Sequence, residues 1–310
     1  MRGFEVLQPG PLSLLQDAGR QHAQHLGVSP SGPADMHAAA WANRLLGNRW
    51  GTPLLEVALG GLSLRCHCAT WVALCGAQMA VSLDGVAQQN WSRFAVRAGQ
   101  LLQLGYASSG QYAYLAVIGG FIATPQLASV ATQQRDGLGG LHGDGRALQA
   151  GDLLPCAAQQ LNGVQSVPAV FQPDYRQAPV LRLIQGGDAQ IFSEHERNEF
   201  FARDWQVSSH SDRMGARLQG TPLVLPVLPE SRQWSQGVSN GAVQVPADGQ
   251  PIVLMADRQS MGGYPLLGWV HPLDLGRLAQ CPARHAVRFA PVTLAGAQVE
   301  LLRFYRFFGR

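Results

Sequence analysis

The stretch Gly241–Pro265, GAVQVPADGQPIVLMADRQSMGGYP, is the most informative part of the chain, because it sets polar side chains at the ends of very apolar strands. Residues 242–246 alternate apolar and polar side chains, Ala247–Gly249 is a turn signal, and Pro251–Met255 is a second apolar run. Two strands joined by a polar turn hold side chains rigidly at their ends, where binding groups usually lie. A role in turn formation alone is an open alternative for any one of these residues. The binding candidates in this stretch are Gln244, Asp248, Asp257, Gln259 and Tyr264.

Most of the chain shares this period of two, which Gly, Pro, Asn or Asp interrupts roughly every eight to twelve residues. The pattern indicates a mainly β fold of barrels or sandwiches with a few short helices. We predict strands at Trp71–Gly76, Ala80–Leu83, Leu101–Gly105 and Tyr112–Ile118, with a tight turn at Asp84–Gly85.

Helical signals are few. The clearest covers about Asp35–Leu46, where Ser31 or Asp35 can cap the first backbone amides. A second helix is predicted near Gln190–Arg203 and a short third one after Pro272.

A polar, Gln-rich stretch separates two strand-rich halves of the chain. We predict an N-terminal domain at residues 1–155, a linker at 156–178 and a C-terminal domain at 179–310. Each half has about the size of one small closed barrel.

Composition limits the classes of function. The net charge of +3 is small and scattered, which argues against binding to nucleic acid or to a membrane. Only 14% of the residues are charged, against about 25% in typical globular proteins, and a surface so poor in charge indicates contact with a partner. All 23 basic residues are Arg, which excludes a Walker A lysine, a Schiff base and a lysine that carries biotin. Any ATP or biotin must then be bound by Arg, backbone amides or another polypeptide.

The five cysteines form an odd number in a chain without an N-terminal signal segment, which favours a reducing cytoplasm. Cys66 and Cys68 share one face of an alternating strand with Leu62 and Leu64. We therefore interpret their thiols as core groups and predict no metal site. The longest apolar stretch, near Tyr114–Ala123, is about half the length that spans a bilayer, so we expect no transmembrane segment.

Two segments of the N-terminal half are candidates for anion binding. Asp17 and Arg20 can present opposite charges to one ligand, although a mutual ion pair that closes the turn is an equal alternative. A glycine-rich run exposes backbone amides, so Gly139, Gly140 and Arg146 are predicted to cradle a phosphate or carboxylate. Packing of a flexible hairpin is the alternative for this run.

The segment Ser209–Asp212 holds the residue types of a hydrolase triad in a row. Neighbours in an extended strand point to opposite faces, so this segment cannot form the relay of such a triad. We predict instead that Asp212, Arg213 and Arg217 clamp an anionic group, with an internal Asp–Arg bridge as the alternative. Glu56 lies in an apolar setting and is a candidate for proton transfer, unless it is a satisfied structural carboxylate.

Several long motifs, in one order along the chain, resemble the KipA, PxpC or allophanate hydrolase subunit 2 family. The resemblance covers nearly the whole chain, and matches of this kind are far more specific than any short pattern. The matching segments are Leu15–Arg20, Leu26–Gly32, Ala42–Asn48, Tyr114–Gly120, Ser209–Gly220 and Gly241–Pro265.

This resemblance implies two β-barrel domains of cyclophilin-like type and a place in the bacterial ATP-dependent 5-oxoprolinase, which opens the lactam of 5-oxo-L-proline to L-glutamate. A KipI-like subunit (PxpB) and a LamB/YcsF-like subunit (PxpA) also act there, and ATP is bound by this chain or by a partner. The arginines would contact carboxylate and phosphoryl oxygens, with Asp17, Asp248 or Asp257 as acid–base or metal-positioning groups. Ser129 and Thr132 match hydroxyl positions of the family.

Two other functions stay open. The resemblance also covers carboxyltransferases like that of urea amidolyase, and the missing lysine permits such a role only with biotin carried in trans. A non-catalytic regulator that binds a KipI-like kinase inhibitor is the third possibility.

Overall fold

The computed structural model describes residues 2–225 and 235–310. They form two compact units. Unit 1 comprises Met1–Gln21, Ser31–Arg176 and Phe308–Arg310, and unit 2 comprises His22–Pro30 and Gln177–Phe307. The stretch predicted as a linker, residues 156–178, thus lies in unit 1 as far as Arg176.

The described strands of unit 1 form one antiparallel ten-stranded sheet. They are β1 (Gly3–Pro9), β2 (Leu12–Gln16), β3 (Leu54–Ala58), β4 (Leu62–Cys66), β5 (Thr70–Leu83), β6 (Val86–Gln88), β7 (Ser92–Val96), β8 (Leu101–Val117), β9 (Leu153–Pro155) and β10 (Gln165–Ser166). The main path runs β10-β7-β5-β8-β4-β1-β9, and β3 joins it through β8.

The long strands β5 and β8 form the centre of this sheet. They pair from Val72↔Val117 to Leu83↔Leu102, with register shifts between Gly76 and Val81. Strand β5 contains the predicted strands Trp71–Gly76 and Ala80–Leu83, and β8 contains Leu101–Gly105 and Tyr112–Ile118 except for its last residue. The register shifts lie between the two predicted pieces of each strand. The predicted turn at Asp84–Gly85 joins β5 to β6, with both residues at positive φ (49° and 79°), as a tight hairpin of this kind requires.

The core of unit 1 lies on both sides of the sheet. One cluster holds Cys66 and Cys68 among aliphatic side chains, which confirms their interpretation as core thiols. The other cluster packs helix α1 (Met36–Leu45) on the sheet through small and aromatic residues. The Asp35 side chain caps this helix by accepting a hydrogen bond from Ala38 N, as predicted.

Unit 2 contains a closed seven-stranded barrel. Its strands are β11 (Val180–Gln185), β12 (Trp205–Val207), β13 (Gly215–Gln219), β15 (Ala242–Gln244), β16 (Ile252–Leu254), β18 (Leu266–Val270) and β19 (Ala286–Pro291), while β14 (Gln236–Gly237) and β17 (Met261–Gly262) form a separate ribbon. The order around the barrel is β11-β18-β15-β16-β13-β12-β19. The parallel pairing of β11 with β19 closes the barrel, and its other pairings are antiparallel. The predicted mainly β class is confirmed.

The described residues of unit 2 include helices α2 (Glu194–Ala202), α3 (Pro272–Ala279) and most of α4 (Leu294–Phe308). The predictions near residues 190–203 and after Pro272 are confirmed, although α2 begins four residues later than predicted. Helix α4 was not predicted. Ala297 is its one fully buried residue, and Leu301, Phe304, Tyr305 and Phe308 are half-buried on the same side at helical spacing, an amphipathic stripe that the sequence analysis missed.

Within residues 2–225 and 235–310, none of the helices combines the length and the apolar character needed to cross a membrane.

Candidate functional site

The connection between β16 and β18, residues 255–265, contains the polar part of the most informative stretch. Strand β15 lies between β16 and β18 in the barrel, so this crossing connection must pass over β15 to reach its next strand. The hydrogen bonds from Gly241 N to Leu254 O and from Val245 N to Pro265 O place its two ends at opposite ends of β15. The crossing connection therefore spans the length of one barrel strand.

A buried ion pair anchors the start of the crossing connection. Arg213 donates from Nε to Asp257 Oδ2 at 2.8 Å and from an Nη to Oδ1 at 2.9 Å. The Asp257 backbone N–H also donates to the Arg213 carbonyl at 2.8 Å. Both residues are more than 90% buried. Because the charges are paired and the geometry is bidentate, the pair fixes this part of the connection.

The segment His22–Pro30 supplies a second anchor within unit 2. Ser29 is buried, and its hydroxyl donates to the Ala256 carbonyl at 3.0 Å. A motif near the N-terminus thus supports a motif more than 200 positions later, a link that the sequence alone does not reveal.

Arg258, the next residue along, was not among the predicted candidates. It is 6% exposed, and burial lowers the pKa of its guanidinium group. Among the described residues, its one side-chain hydrogen bond runs from Nε to the Val238 carbonyl at 3.4 Å. Its position directly after Asp257 at the end of an apolar strand was the available signal.

Gln244 stands at the end of β15, where it was predicted, but its side chain is 2% exposed. Its Nε2 atom is buried and donates no hydrogen bond to any described residue. Gly262 lies so close that a Cβ added there would collide with this Nε2 atom and come within 3.3 Å of Val238 Cγ1. Glycine is therefore needed at position 262 to leave the Gln244 carboxamide in place.

The other candidates of the C-terminal half are not gathered at this point. Asp248 is exposed and accepts a hydrogen bond from Gln250 N at 3.0 Å, so the alternative of turn chemistry describes it. It precedes β16, whereas Asp257 follows β16, and the two carboxylates lie at opposite ends of that strand. Gln259 is half-buried and Tyr264 is 51% exposed.

The clamp predicted from Asp212, Arg213 and Arg217 is not formed. Asp212 accepts hydrogen bonds from the N–H groups of Met214 and Gly215, and Arg213 is paired with Asp257 instead. Arg217 is exposed on β13, where the neighbouring Ala216 points inward. Arg213 is buried in the segment that precedes β13, whereas Arg217 is exposed on that strand, which corrects the sequence-based arrangement.

In unit 1 the predicted Asp17 and Ser129 come together. The Ser129 hydroxyl donates to Asp17 Oδ1 at 2.6 Å, and Val130 N donates to Oδ2 at 2.8 Å. Thr132 is buried, and its hydroxyl donates to the Leu15 carbonyl at 2.8 Å. These contacts hold the loop at Asp17 against the loop at residues 129–132. The hydroxyl groups of Ser129 and Thr132, both site candidates, thus donate hydrogen bonds within the chain.

Arg20 is fully buried, and its guanidinium group lies against Gly139. Gly139 has a φ of 69°, and a Cβ there would collide with Ala131 O as well as with Arg20. Arg20 and the glycine-rich run, which were predicted as separate candidates, are therefore neighbours in a packed interior rather than in an open cleft.

The glycine-rich run does not offer the open amides that we expected. Gly139 N donates to Gln126 Oε1 at 2.6 Å, and Gly140 N donates to Val130 O at 2.9 Å. Arg146 is paired with Asp152, and this hydrogen bonding raises the pKa of the Arg146 guanidinium. Amides and guanidinium already have partners, so the predicted phosphate cradle is corrected to a closed hairpin.

Glu56 is buried in a hydrogen-bonded network. Its Oε2 atom accepts from Ala34 N at 2.8 Å and from the Tyr114 hydroxyl at 2.9 Å. The Tyr114 hydroxyl in turn accepts from Asp35 N, and Asp35 accepts from the Tyr175 hydroxyl. Burial raises the pKa of Tyr114 well above its ordinary value. This is the satisfied structural carboxylate that was the alternative to proton transfer.

Tyr175 also lines a groove of about 570 Å³ in unit 1. The lining is mostly polar and includes Gln78, Ser108, Ser109 and Gln172, but none of the sequence-predicted candidates. In the described part of the chain, no three His, Cys, Asp or Glu side chains are grouped in a way that would hold a metal ion.

Comparison with known proteins agrees with this arrangement of two strand-rich units. A family model described as "Carboxyltransferase domain, subdomain A and B" matches residues 26–291. The chain belongs to the carboxyltransferase domain family. The match includes both the crossing connection and the buried pair that anchors it.

Among curated relatives, the C subunit of 5-oxoprolinase from Escherichia coli is 36% identical over 294 residues, which cover 95% of this chain and 93% of the relative. The corresponding protein of Haemophilus influenzae is also 36% identical, over 298 residues and with the same coverage. Urea amidolyase of Saccharomyces cerevisiae is 29% identical over 94% of this chain, but this covers only 17% of the yeast protein.

The solved structures include urea amidolyase and urea carboxylase of Kluyveromyces lactis, both with a TM-score of 0.89 and 27% identity. Each comparison covers 98% of this chain, but only 20% and 29% of the solved chains. This chain thus corresponds to one part of those larger proteins.

Proposed function

We propose that this chain is the C subunit (PxpC) of an ATP-dependent 5-oxoprolinase complex, which opens the lactam of 5-oxo-L-proline to L-glutamate. The observation that carries the proposal is the 36% identity to two proteins of that name over 95% of this chain and 93% of each relative. The yeast urea amidolyase, in contrast, extends far beyond this chain. A protein named as one subunit acts with others, so we infer a heteromeric complex with KipI-like (PxpB) and LamB/YcsF-like (PxpA) partners.

The chemistry of the substrate explains the use of ATP. A five-membered lactam is an unstrained amide, and its hydrolysis breaks the C–N bond as water adds OH to the carbonyl carbon and a proton to nitrogen. Phosphorylation of the amide oxygen makes that carbon a better electrophile. A polypeptide that takes part must hold a carboxylate and stabilise charge on oxygen.

The residues of this chain are better suited to holding a carboxylate than to stabilising charge on oxygen. Arg258 and Gln244 are buried donors at the crossing connection. The glycine-rich run, however, uses the amides of Gly139 and Gly140 internally, and the sequence contains no Lys. We therefore place substrate binding in unit 2 and assign binding of the ATP phosphates to a partner chain.

Reconstitution tests this function directly. The purified chain is mixed with a KipI-like and a LamB/YcsF-like protein from the same genome, and glutamate and ADP are measured with and without 5-oxo-L-proline. We expect glutamate release that needs all three proteins and ATP and is independent of biotin. Turnover without this chain, or with this chain alone, would refute the proposal.

A second candidate is a carboxyltransferase that acts on biotin carried by another protein. The family description and the TM-score of 0.89 to urea carboxylase favour it. The absence of Lys allows biotin only in trans. Carboxyl transfer that requires a biotinylated protein, without glutamate release, would establish this function in place of the first.

A further inference from the structure

Arg258 differs from Arg93, another deeply buried arginine. Arg93 is 9% exposed and donates three hydrogen bonds of 2.7–3.2 Å to backbone carbonyls. Arg258 is 6% exposed, and among the described residues it donates one, at 3.4 Å. Burial takes most of the hydration from a guanidinium, and among the described residues Arg258 recovers one long hydrogen bond in its place. The group is therefore poised to accept an anionic partner from outside.

A second buried donor lies near the same residue, Val238. Gln244 is 2% exposed, and its Nε2 atom lacks a hydrogen-bond acceptor among the described residues. Both donors lie near Val238. Arg258 Nε donates to the Val238 carbonyl. The Gln244 carboxamide lies next to Gly262, and Gly262 is close to the Val238 side chain. A guanidinium with one long hydrogen bond and a carboxamide N–H without an acceptor, both near Val238, give an acceptor group two points of attachment.

The surrounding charges determine which anion fits. The carboxylate of Asp257 is neutralised by Arg213, so it does not compensate the charge of Arg258. Asp188 approaches the same strands, because its Oδ2 atom accepts from Leu266 N at 3.0 Å, and Leu266 pairs with Gln244. One unpaired guanidinium with a carboxylate in the neighbourhood favours a monoanion over a phosphate dianion.

We propose that Arg258 and Gln244 form a binding site for the carboxylate group of a small ligand at the crossing connection. The guanidinium group supplies the charge and the planar pair of donors, and the carboxamide supplies a further N–H. The ion pair of Arg213 with Asp257 acts as the positioning element, since Arg258 directly follows Asp257. That the ligand is 5-oxo-L-proline rests on the proposed function, whereas the choice of a carboxylate rests on the geometry.

Binding is measured by isothermal titration calorimetry with the purified chain and with the reconstituted complex. The probes are 5-oxo-L-proline, its neutral primary amide and inorganic phosphate. We expect 5-oxo-L-proline to bind at least tenfold more tightly than the amide or phosphate. Arg258→Gln should remove at least tenfold of this affinity, and Gln244→Leu should weaken it by a smaller factor. Arg303→Gln, which changes an exposed arginine on α4, is the matched control and should bind like the wild type.

Stability separates a binding role from a structural one. If Arg258 served the fold, its replacement would lower the melting temperature. Because the group is buried without an adequate partner, Arg258→Met should leave the melting temperature unchanged or raise it, while binding is lost. A clear drop in melting temperature for both Arg258→Met and Arg258→Gln, or unchanged affinity in either, would overturn the site.

The failures of this site and of the proposed function give different results. If the complex turns over 5-oxo-L-proline and Arg258→Gln leaves the KM unchanged, the site is wrong and the function stands. If no complex releases glutamate but Arg258 is still required for carboxylate binding, the function is wrong and the site stands. Tighter binding of phosphate than of any carboxylate, or no binding of any probe to the chain or the complex, refutes the site.

Discussion

Removing the charge of Asp257, the one carboxylate among residues 255–265 of the crossing connection, should weaken unit 2. Asp257→Asn keeps the shape of the side chain but removes the carboxylate charge that pairs with the Arg213 guanidinium, which is 7% exposed. Breaking a buried pair in this way costs about 3–5 kcal/mol, because the remaining charge stays out of water. The Asp257 side chain retains 11% of its exposure, so we expect the lower end, about 3 kcal/mol.

That cost is measurable by thermal and by local methods. For domains of 150–250 residues, about 1 kcal/mol shifts the melting temperature by roughly 2–4 °C, so the variant should melt roughly 6–12 °C below the wild type. Hydrogen exchange of the amides in residues 255–265 should accelerate before that of the barrel strands, because the pair holds the start of the crossing connection.

The matched control is Asp248→Asn, since Asp248 is exposed and accepts one local hydrogen bond from Gln250 N. It should change stability by less than about 1 kcal/mol. The double variant Arg213→Met with Asp257→Leu removes both charges and should recover much of the loss of the single variant. The reasoning is refuted if Asp257→Asn melts within one or two degrees (roughly 0.5 kcal/mol) of Asp248→Asn. It is also refuted if the double variant is destabilised by the sum of the losses measured for Arg213→Met alone and Asp257→Leu alone.

Three further changes test other parts of the structure. Gly139→Ala should strongly destabilise unit 1, because its Cβ would collide with the Ala131 carbonyl at a positive φ; we expect about 3 kcal/mol or more by chemical denaturation. Burial acts to raise the pKa of Asp152, but hydrogen bonds from Arg146 and its neighbours lower it overall. The stability that Asp152 contributes should therefore be complete above about pH 4 and be lost as the pH falls further, and Asp152→Asn should abolish this step in acid unfolding curves. Gly262→Ala should displace the Gln244 carboxamide, lowering carboxylate affinity several-fold in calorimetry while the melting temperature falls by no more than a few degrees (about 1 kcal/mol).

The sequence was a good guide wherever the structure is decided locally. The turn at Asp84–Gly85, the cap at Asp35 and the alternation of Cys66 with Cys68 depend on neighbours within a few positions, and all three are confirmed. Such features follow from backbone sterics and periodicity, which a single sequence displays directly.

The sequence did not predict contacts between residues that are far apart along the chain. Arg213 was expected to act with Arg217 four positions away, but its partner Asp257 is 44 positions away and is set by the pairing of β13 with β16. In the same way, the amide of Gly139 is taken by Gln126, which a reading of the glycine-rich run alone does not consider. Register decides such contacts, and register depends on the whole sheet.

Helix α4 was missed for a different reason. A helix is recognised by an apolar stripe that faces a core, and α4 buries one described residue, Ala297. Leu302 is 59% exposed and Phe307 is 43% exposed, so apolar residues also occupy outer positions and partly mask the stripe that Leu301, Phe304 and Phe308 form.

The same distinction between local pattern and long-range pairing explains which arginine is the best candidate for a ligand. The motifs around Arg146 and Arg213 made them candidates for anion binding, but in the folded chain each is paired with a carboxylate. A guanidinium that is already neutralised binds a second anion weakly. Arg258 has no such carboxylate among the described residues and remains 94% buried, with 6% of its surface exposed. A folded protein that keeps an uncompensated charge loses free energy unless something else supplies the counter-charge. Electrostatic balance therefore favours an anionic ligand at Arg258, whichever reaction of the carboxyltransferase family this chain takes part in.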